Sequence, residues 1–289
     1  MKGREFIQAK QIAWANRKNI KLVGSQTTKG LMIYTENIND NFFEPLSPET
    51  IKAFEKGDGG ELKKKGKTLS KMQALHSSSV LGVNIFQYWK TIGRIPDIAY
   101  ACGLCAKENT NSIDIKFEEK FEISDTFPKK PNIDVVMINS PDSNLIAYGT
   151  ECKFSEAYSS RKHSGLKEKY ITDIPDQWKG ISQLKKFAEN ISPNDNDFRF
   201  LHAAQLIKHI LGLKKQYGKS SFRLLYLWYD VYGTEGVKHR KEIAIFKAIA
   251  EKDHIKFHSL SYQELIIKMS KKLYKGNEEY IDYMTDRYL

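Results

Sequence analysis

Hydrophobic and polar positions change their period several times along the chain, and each change marks a predicted element. Residues 4–18 carry Phe6, Ile7, Ile12 and Trp14 at helical spacing, which predicts an amphipathic helix. An irregular stretch with Asn37, Asn39, Asp40 and Asn41 follows, then a helix near 48–56. The serines at 77–79 cap a predicted helix through Val80, Leu81, Val83, Asn84, Phe86 and Trp89, which Gly93 and Pro96 end. Residues 113–123 alternate, with Ile115, Phe117, Glu119, Phe121 and Ile123 on one face and Lys116, Glu118, Lys120 and Glu122 on the other, as in a strand with one wet side. Two further strands are apolar on both faces, Ile133, Val135 and Met137 against Val136 and Ile138, then Ile146, Tyr148 and Phe154; such strands are central and covered by helices. A polar stretch over 155–177 predicts irregular chain, and helical spacing returns over 181–187 and 200–213. Phe222–Tyr229 is a buried strand by length and composition, followed by a helix near 238–251, a short strand at 255–259 and a helix from 261. The order predicts an α/β protein with a central mixed sheet flanked by helices. Gly57-Asp58-Gly59-Gly60 and the lysines after it suggest a boundary, with residues 1–70 a helical and irregular extension and 71–289 the main domain.

The two central strands carry the chemistry. Ser140-Pro141-Asp142-Ser143-Asn144 is a cluster of turn formers. A four-residue loop at 141–144 pairs Asn139 with Ile146, and counting outward it sets Asp134 opposite Glu151. Lys153, two residues on, shares the face of Glu151. Two carboxylates and an ammonium on a buried patch of sheet cost free energy unless they pair or bind a metal. This is the equipment for holding Mg²⁺ and activating a water. The other reading of these residues is an ordinary ion pair at the end of a hairpin.

Asp134, sixteen residues, then Glu151-Cys152-Lys153, resembles the active-site motif of the PD-(D/E)XK nuclease superfamily, the restriction-endonuclease-like fold. A wider stretch resembles a bacterial group of restriction endonucleases within it. The matching pieces are His76-Ser77-Ser78-Ser79 leading to Asn84-Ile85-Phe86, then Phe117-Glu118-Glu119, the hairpin, and Ala204-Gln205-Leu206-Ile207-Lys208-His209. One departure is Ile133, which stands where the superfamily's name has Pro. The resemblance implies a restriction-endonuclease-like core, cleavage of DNA, and Mg²⁺, with Mn²⁺ as a substitute, held by Asp134, Glu151 and the backbone carbonyl of Cys152. It implies an acidic residue on the 113–123 strand without separating Glu118 from Glu119; the alternation makes Glu119 the carboxylate on the apolar face, and so the catalytic candidate. It also matches Gln205 to a Gln beside the active strand. His202 and His209, at i and i+7 on that helix, lack the i, i+4 spacing of a zinc protease and read as surface or capping residues.

Charge adds a partner to this picture. The 289 residues carry a formal net charge of +11, which favours a polyanion through counterion release. Arg161, Lys162, Lys167 and Lys169 begin eight residues after Lys153 and are the candidate nucleic-acid-binding cluster, whereas Lys63, Lys64, Lys65, Lys67 and Lys71 read as a solvated loop. No apolar run approaches a membrane span, and the N-terminal residues lack a secretory pattern, so a cytoplasmic protein is expected. Cys102 and Cys105 have knuckle spacing, but no second pair stands at zinc-finger distance. A homodimer would suit cutting both strands of a palindromic site.

Three functions therefore compete: a Mg²⁺-dependent endonuclease acting on DNA, restriction-type or a related defence nuclease; a nucleic-acid-binding module on the same fold without cleavage; and a scaffold whose carboxylates form ion pairs. In the first, a Lys153 placed by two carboxylates stays charged and stabilises the transition state more readily than it removes a proton.

Overall fold

The computed structural model describes every residue except Lys65 and Lys67, and of Thr27 the backbone alone; those two lysines of the basic run lie outside the described residues. Helix α1 (Gly3–Arg17) leads into a short hairpin, β1 (Leu22–Gly24) and β2 (Met32–Thr35), then α2 (Pro48–Lys56), α3 (Ser78–Thr91) and α4 (Ile95–Ala101). The sheet begins with β3 (Ser112–Lys120), β4 (Asn132–Asn139) and β5 (Ala147–Lys153). A short α5 (Lys169–Thr172), α6 (Ser182–Asn190) and α7 (Ala203–Tyr217) precede β6 (Phe222–Trp228). The chain closes with α8 (Thr234–Lys252), β7 (Phe257–Ser261), α9 (Tyr262–Lys272) and α10 (Glu278–Tyr288).

The five strands lie in the order β3-β4-β5-β6-β7, antiparallel from β3 to β5 and parallel from β5 to β7. This is the α/β architecture with a mixed central sheet expected of a restriction-endonuclease-like core. One apolar core joins Val135, Met137, Tyr148, Leu225 and Leu227 to α3, α4, α9 and α10. The other joins Val136, Ala147, Leu224 and Tyr226 to α6, α7 and α8. Gly149 allows α7 to press close to β5, since a Cβ there would stand 3.1 Å from Leu213 Cδ1.

The hairpin register is the one that the turn chemistry demands. Val135 faces Thr150, Ile138 faces Ala147, and the Asn139 N–H donates to Ile146 O at 2.9 Å. Alternation along β3 and β4, however, breaks where the site lies. Ile115, Phe117, Val135 and Met137 belong to the first core, but Phe121, Ile123 and Ile133 to the second. Glu118 sits at φ +52°, in the left-handed region, and resets the face of the residues that follow. The single continuous face expected for 115–123, and for Ile133 with Val135, is corrected accordingly.

Residues 1–70 contribute apolar side chains to the first core. Ile7, Phe42 and Phe54 enter the first core. Asn84, one of the residues carrying the family resemblance, is a clamp for this segment: its side chain accepts from Phe43 N–H and donates to Asn41 O and to the Tyr288 hydroxyl. Arg287 is fully buried and donates to Gln11, to both oxygens of Asn41 and to the Tyr283 hydroxyl, with its guanidinium 4.1 Å from the Trp14 ring. Arg287→Met strands these buried acceptors, so it should lower unfolding free energy by about 3 kcal/mol, read as a fall in the urea midpoint at unchanged m. A midpoint equal to wild type would show that the N-terminal segment is not held this way.

Candidate active site

Asp134, Glu151 and Lys153 meet in one cleft of about 450 Å³, which Glu118, Gln205 and Glu156 also line. The β4–β5 ladder ends at Val135 and Thr150, and beyond it the Asp134 side chain takes over: Oδ2 accepts from the Cys152 N–H at 2.7 Å. Glu151 is 1% exposed, on a strand paired on both sides. Its Oε1 lies 2.5 Å from Lys153 Nζ, an ion pair without hydrogen-bond alignment. Its Oε2 lies 2.8 Å from His209 Nε2. A carboxylate only accepts, so Nε2 carries the proton in that bond. Cys152 turns its side chain to the opposite face, toward Gly82 of α3 and Tyr262.

These placements set the ionisation. Burial alone would raise Glu151, but Lys153 and His209 hold it down to about 2. Asp134 forms no ion pair among the described residues; burial and the charge of Glu151 push it well above the usual carboxylate range, against Lys153 and the Cys152 N–H. Burial would lower Lys153, yet Glu151, Asp134 and Glu156 outweigh it and raise the ammonium, which stays charged. Glu118 is pushed up to about 7 by burial and by Glu61 and Glu151, although Asn132 donates to its carboxylate at 3.0 Å.

Two expectations change. Glu118, not Glu119, lines the cleft with Asp134 and Glu151, because the left-handed residue breaks the alternation; Glu119 pairs with Ile133 in the ladder and borders a different depression beside Lys52 and Lys56. His209 is not a surface residue but fully buried against Glu151, and its Nδ1 has no hydrogen-bond partner among the described residues. Gln205 does line the cleft, one turn toward the N-terminus of the same helix. Of the basic cluster, Arg161 and Lys162 line an adjoining cavity, whereas Lys169 sits 4.2 Å over the Phe127 ring and borders neither; Lys167 is exposed and also borders neither. Sequence reasoning missed the other wall, formed by Arg4, Tyr34, Gly59, Glu61 and Lys71 of the N-terminal third. The His76–Ser79 motif has a structural basis here. Ser77 caps α3, Ser78 bonds Glu156, and the His76 carbonyl accepts from Ser155.

Among the described residues, no group of three or more His, Cys, Asp or Glu side chains is arranged to hold a metal ion. Five carboxylates line the cleft, those of Glu61, Glu118, Asp134, Glu151 and Glu156. Carboxylate oxygens suit a hard cation such as Mg²⁺, which takes oxygen ligands and retains several waters. Burial chiefly, with Glu151 adding to it, raises Asp134 and Glu118, and a cation held between such carboxylates would offset the cost of ionising them there.

The REase-ARP family model, described as restriction endonuclease associating with ARP, matches residues 8–289. No curated protein and no solved structure matches the chain.

Glu118 generates a pH prediction. Its folded value of about 7 lies above the ordinary 4.5, so its contribution to stability is fully present below about 4.5 and is lost as pH rises through about 7. In EDTA, Glu118→Gln should match wild type at pH 4 and exceed it by about 2 kcal/mol at pH 8. Unfolding curves that stay parallel from pH 4 to 8 would refute the burial of this carboxyl.

Proposed function

The chain belongs to the REase-ARP family, restriction endonucleases associating with ARP, and on that premise we propose that it is a Mg²⁺-dependent endonuclease that hydrolyses DNA phosphodiester bonds. The observation that carries this reading is the cluster of Asp134, Glu151 and a charged Lys153 at the end of a buried hairpin. An ion pair alone would account for Glu151 and Lys153. It leaves the half-buried Asp134 with no ion pair among the described residues, which the nuclease reading explains.

Asp134, Glu151 and the Cys152 carbonyl would hold Mg²⁺, with Mn²⁺ as a substitute. When bound, that ion supplies neutralisation of the phosphate oxygens and activation of a water. The protein's own groups do the remainder. Lys153, kept charged by three carboxylates, places an ammonium where negative charge gathers on phosphorus oxygens. His209 and Lys153 fix both oxygens of Glu151, so the ligand arrives oriented rather than searching rotamers. Gln205, on the helix that carries His209, lines the cleft, where its amide can orient a water. Arg161 and Lys162 offer their charges to the DNA backbone beyond the cleft.

The test incubates wild type and Lys153→Ala with plasmid and phage DNA in Mg²⁺, Mn²⁺ or EDTA. Wild type should cut only with metal, and Lys153→Ala should lose at least about a hundredfold in rate while keeping its affinity for DNA. Equal cutting by both proteins would remove Lys153 from the chemistry. Salt-sensitive binding without cutting by either would make the protein a nucleic-acid-binding module.

A further inference from the structure

A second cavity, of about 670 Å³, shares Arg4, Lys153 and Glu156 with the carboxylate cleft. It is the roomier of the two, and its walls are fixed rather than loose. Arg199 donates to the carbonyls of Ser159 and Arg161 and so pins the loop on one side. Glu242, reaching from α8, accepts from three successive backbone N–H groups, those of Arg199, Phe200 and Leu201, at 2.8–2.9 Å. Between these braces the rings of His163 and His202 stack, 4.6 Å apart and 14° from parallel.

Three features of this cavity have no role within the fold. The first is that imidazole stack, joined in the wall by Phe200, a flat and polarisable surface on which a base can lie. Burial lowers both imidazoles, His202 to about 3, so the stack is neutral. The second is His163 Nε2, buried and without a hydrogen-bond partner among the described residues. An unsatisfied buried nitrogen calls for a partner that the protein itself does not supply. The third is charge: Arg4, Arg161 and Lys162 border the cavity and form no ion pair among the described residues. Neutral rings beside unpaired cations match a nucleotide, with its flat base and its anionic phosphate.

We propose that this cavity receives one unpaired nucleotide of the strand lying in the catalytic cleft, its base against the His163–His202 pair and its phosphate on Arg4, Arg161 and Lys162. His163 Nε2 bonds the base edge. The inference rests on the nuclease reading and narrows its substrate class. Because Lys153 borders both cavities, the captured nucleotide lies next to the phosphate that is cut, and DNA carrying a bulged, mismatched or single-stranded nucleotide there binds better than perfect duplex. Extruding a paired base costs stacking and pairing, whereas an unpaired one enters without that cost. A free mononucleotide has the same chemistry and is separated by the test.

Binding is measured in EDTA by fluorescence anisotropy, so cleavage plays no part. The probes are a duplex, the same duplex with one bulged nucleotide, and the single strand, with deoxyadenosine monophosphate as competitor. The bulged duplex should bind about tenfold tighter than the perfect one, the worth of one stacked base. His202→Ala should abolish that preference and His202→Phe should restore it, since Phe keeps the ring and removes the ring nitrogens. Arg161→Ala with Lys162→Ala should weaken all three DNAs and flatten the salt dependence. A matching unfolding temperature for each variant shows that the fold is intact. Equal affinity for bulged and perfect duplex in wild type, or a preference that survives in His202→Ala, overturns the proposal even if the enzyme cuts DNA. Saturation by the mononucleotide with no preference among DNAs overturns it in favour of a free nucleotide. A bulge preference in a protein that cuts nothing leaves this pocket standing and removes the nuclease reading instead.

Discussion

Glu151 lies on the middle strand of a five-stranded sheet, paired to β4 on one side and β6 on the other, with its side chain 1% exposed. A carboxylate there is tolerated only if its charge is met within a few ångströms. Lys153 meets one oxygen and His209 the other. That single requirement organises much of the surroundings. It fixes the face on which Lys153 must emerge, and it brings α7 against β5, which the absence of a side chain at Gly149 permits. The Asp134 carboxylate accepts from the Cys152 backbone N–H and feels the Lys153 charge. Glu151 is thus held ionised, whereas burial, with Glu151 adding to it, raises Asp134 and Glu118. A cation between these carboxylates would offset that cost.

The N-terminal third does more than extend the fold. Arg4, Tyr34 and Glu61 form a wall of the cleft, and Arg4 also borders the cavity of the stacked imidazoles. Arg287 and Asn84 tie residues 41–43 of the same segment to the C-terminal helix and to α3. Substrate in the cleft would touch both this segment and the sheet.

The central hairpin was legible because its determinants are local. Turn formers at 140–144 set the loop, the loop set the register, and the register placed Asp134, Glu151 and Lys153 together. The helices and strands of the second half were legible for the same reason, and observed spans such as Phe222–Trp228 and Tyr262–Lys272 lie close to those that periodicity indicated. Glu118 was not, since alternation holds only while φ stays extended, and one left-handed residue reverses it. His209 was not, because helical spacing says which residues share a face but not that a buried carboxylate lies opposite. The hairpin of β1 and β2 and the final helix α10 were also missed. The strands of that hairpin are three and four residues long, too short for a period to show, whereas α10 carried a signal that was passed over, Tyr280, Ile281, Met284 and Tyr288 at helical spacing.

The central claim is that Asp134 and Glu151 form a cation site, where an ion offsets the cost of ionising these carboxylates. Titrating the protein with Mn²⁺ in weakly buffered solution at pH 7, with bound metal followed by electron paramagnetic resonance and released protons by indicator dye, tests it most directly. Saturable binding of at least one Mn²⁺ per chain, with proton release, and loss of both in Asp134→Asn is the result this account predicts. Saturable binding that persists unchanged in Asp134→Asn, or none in wild type, would contradict it.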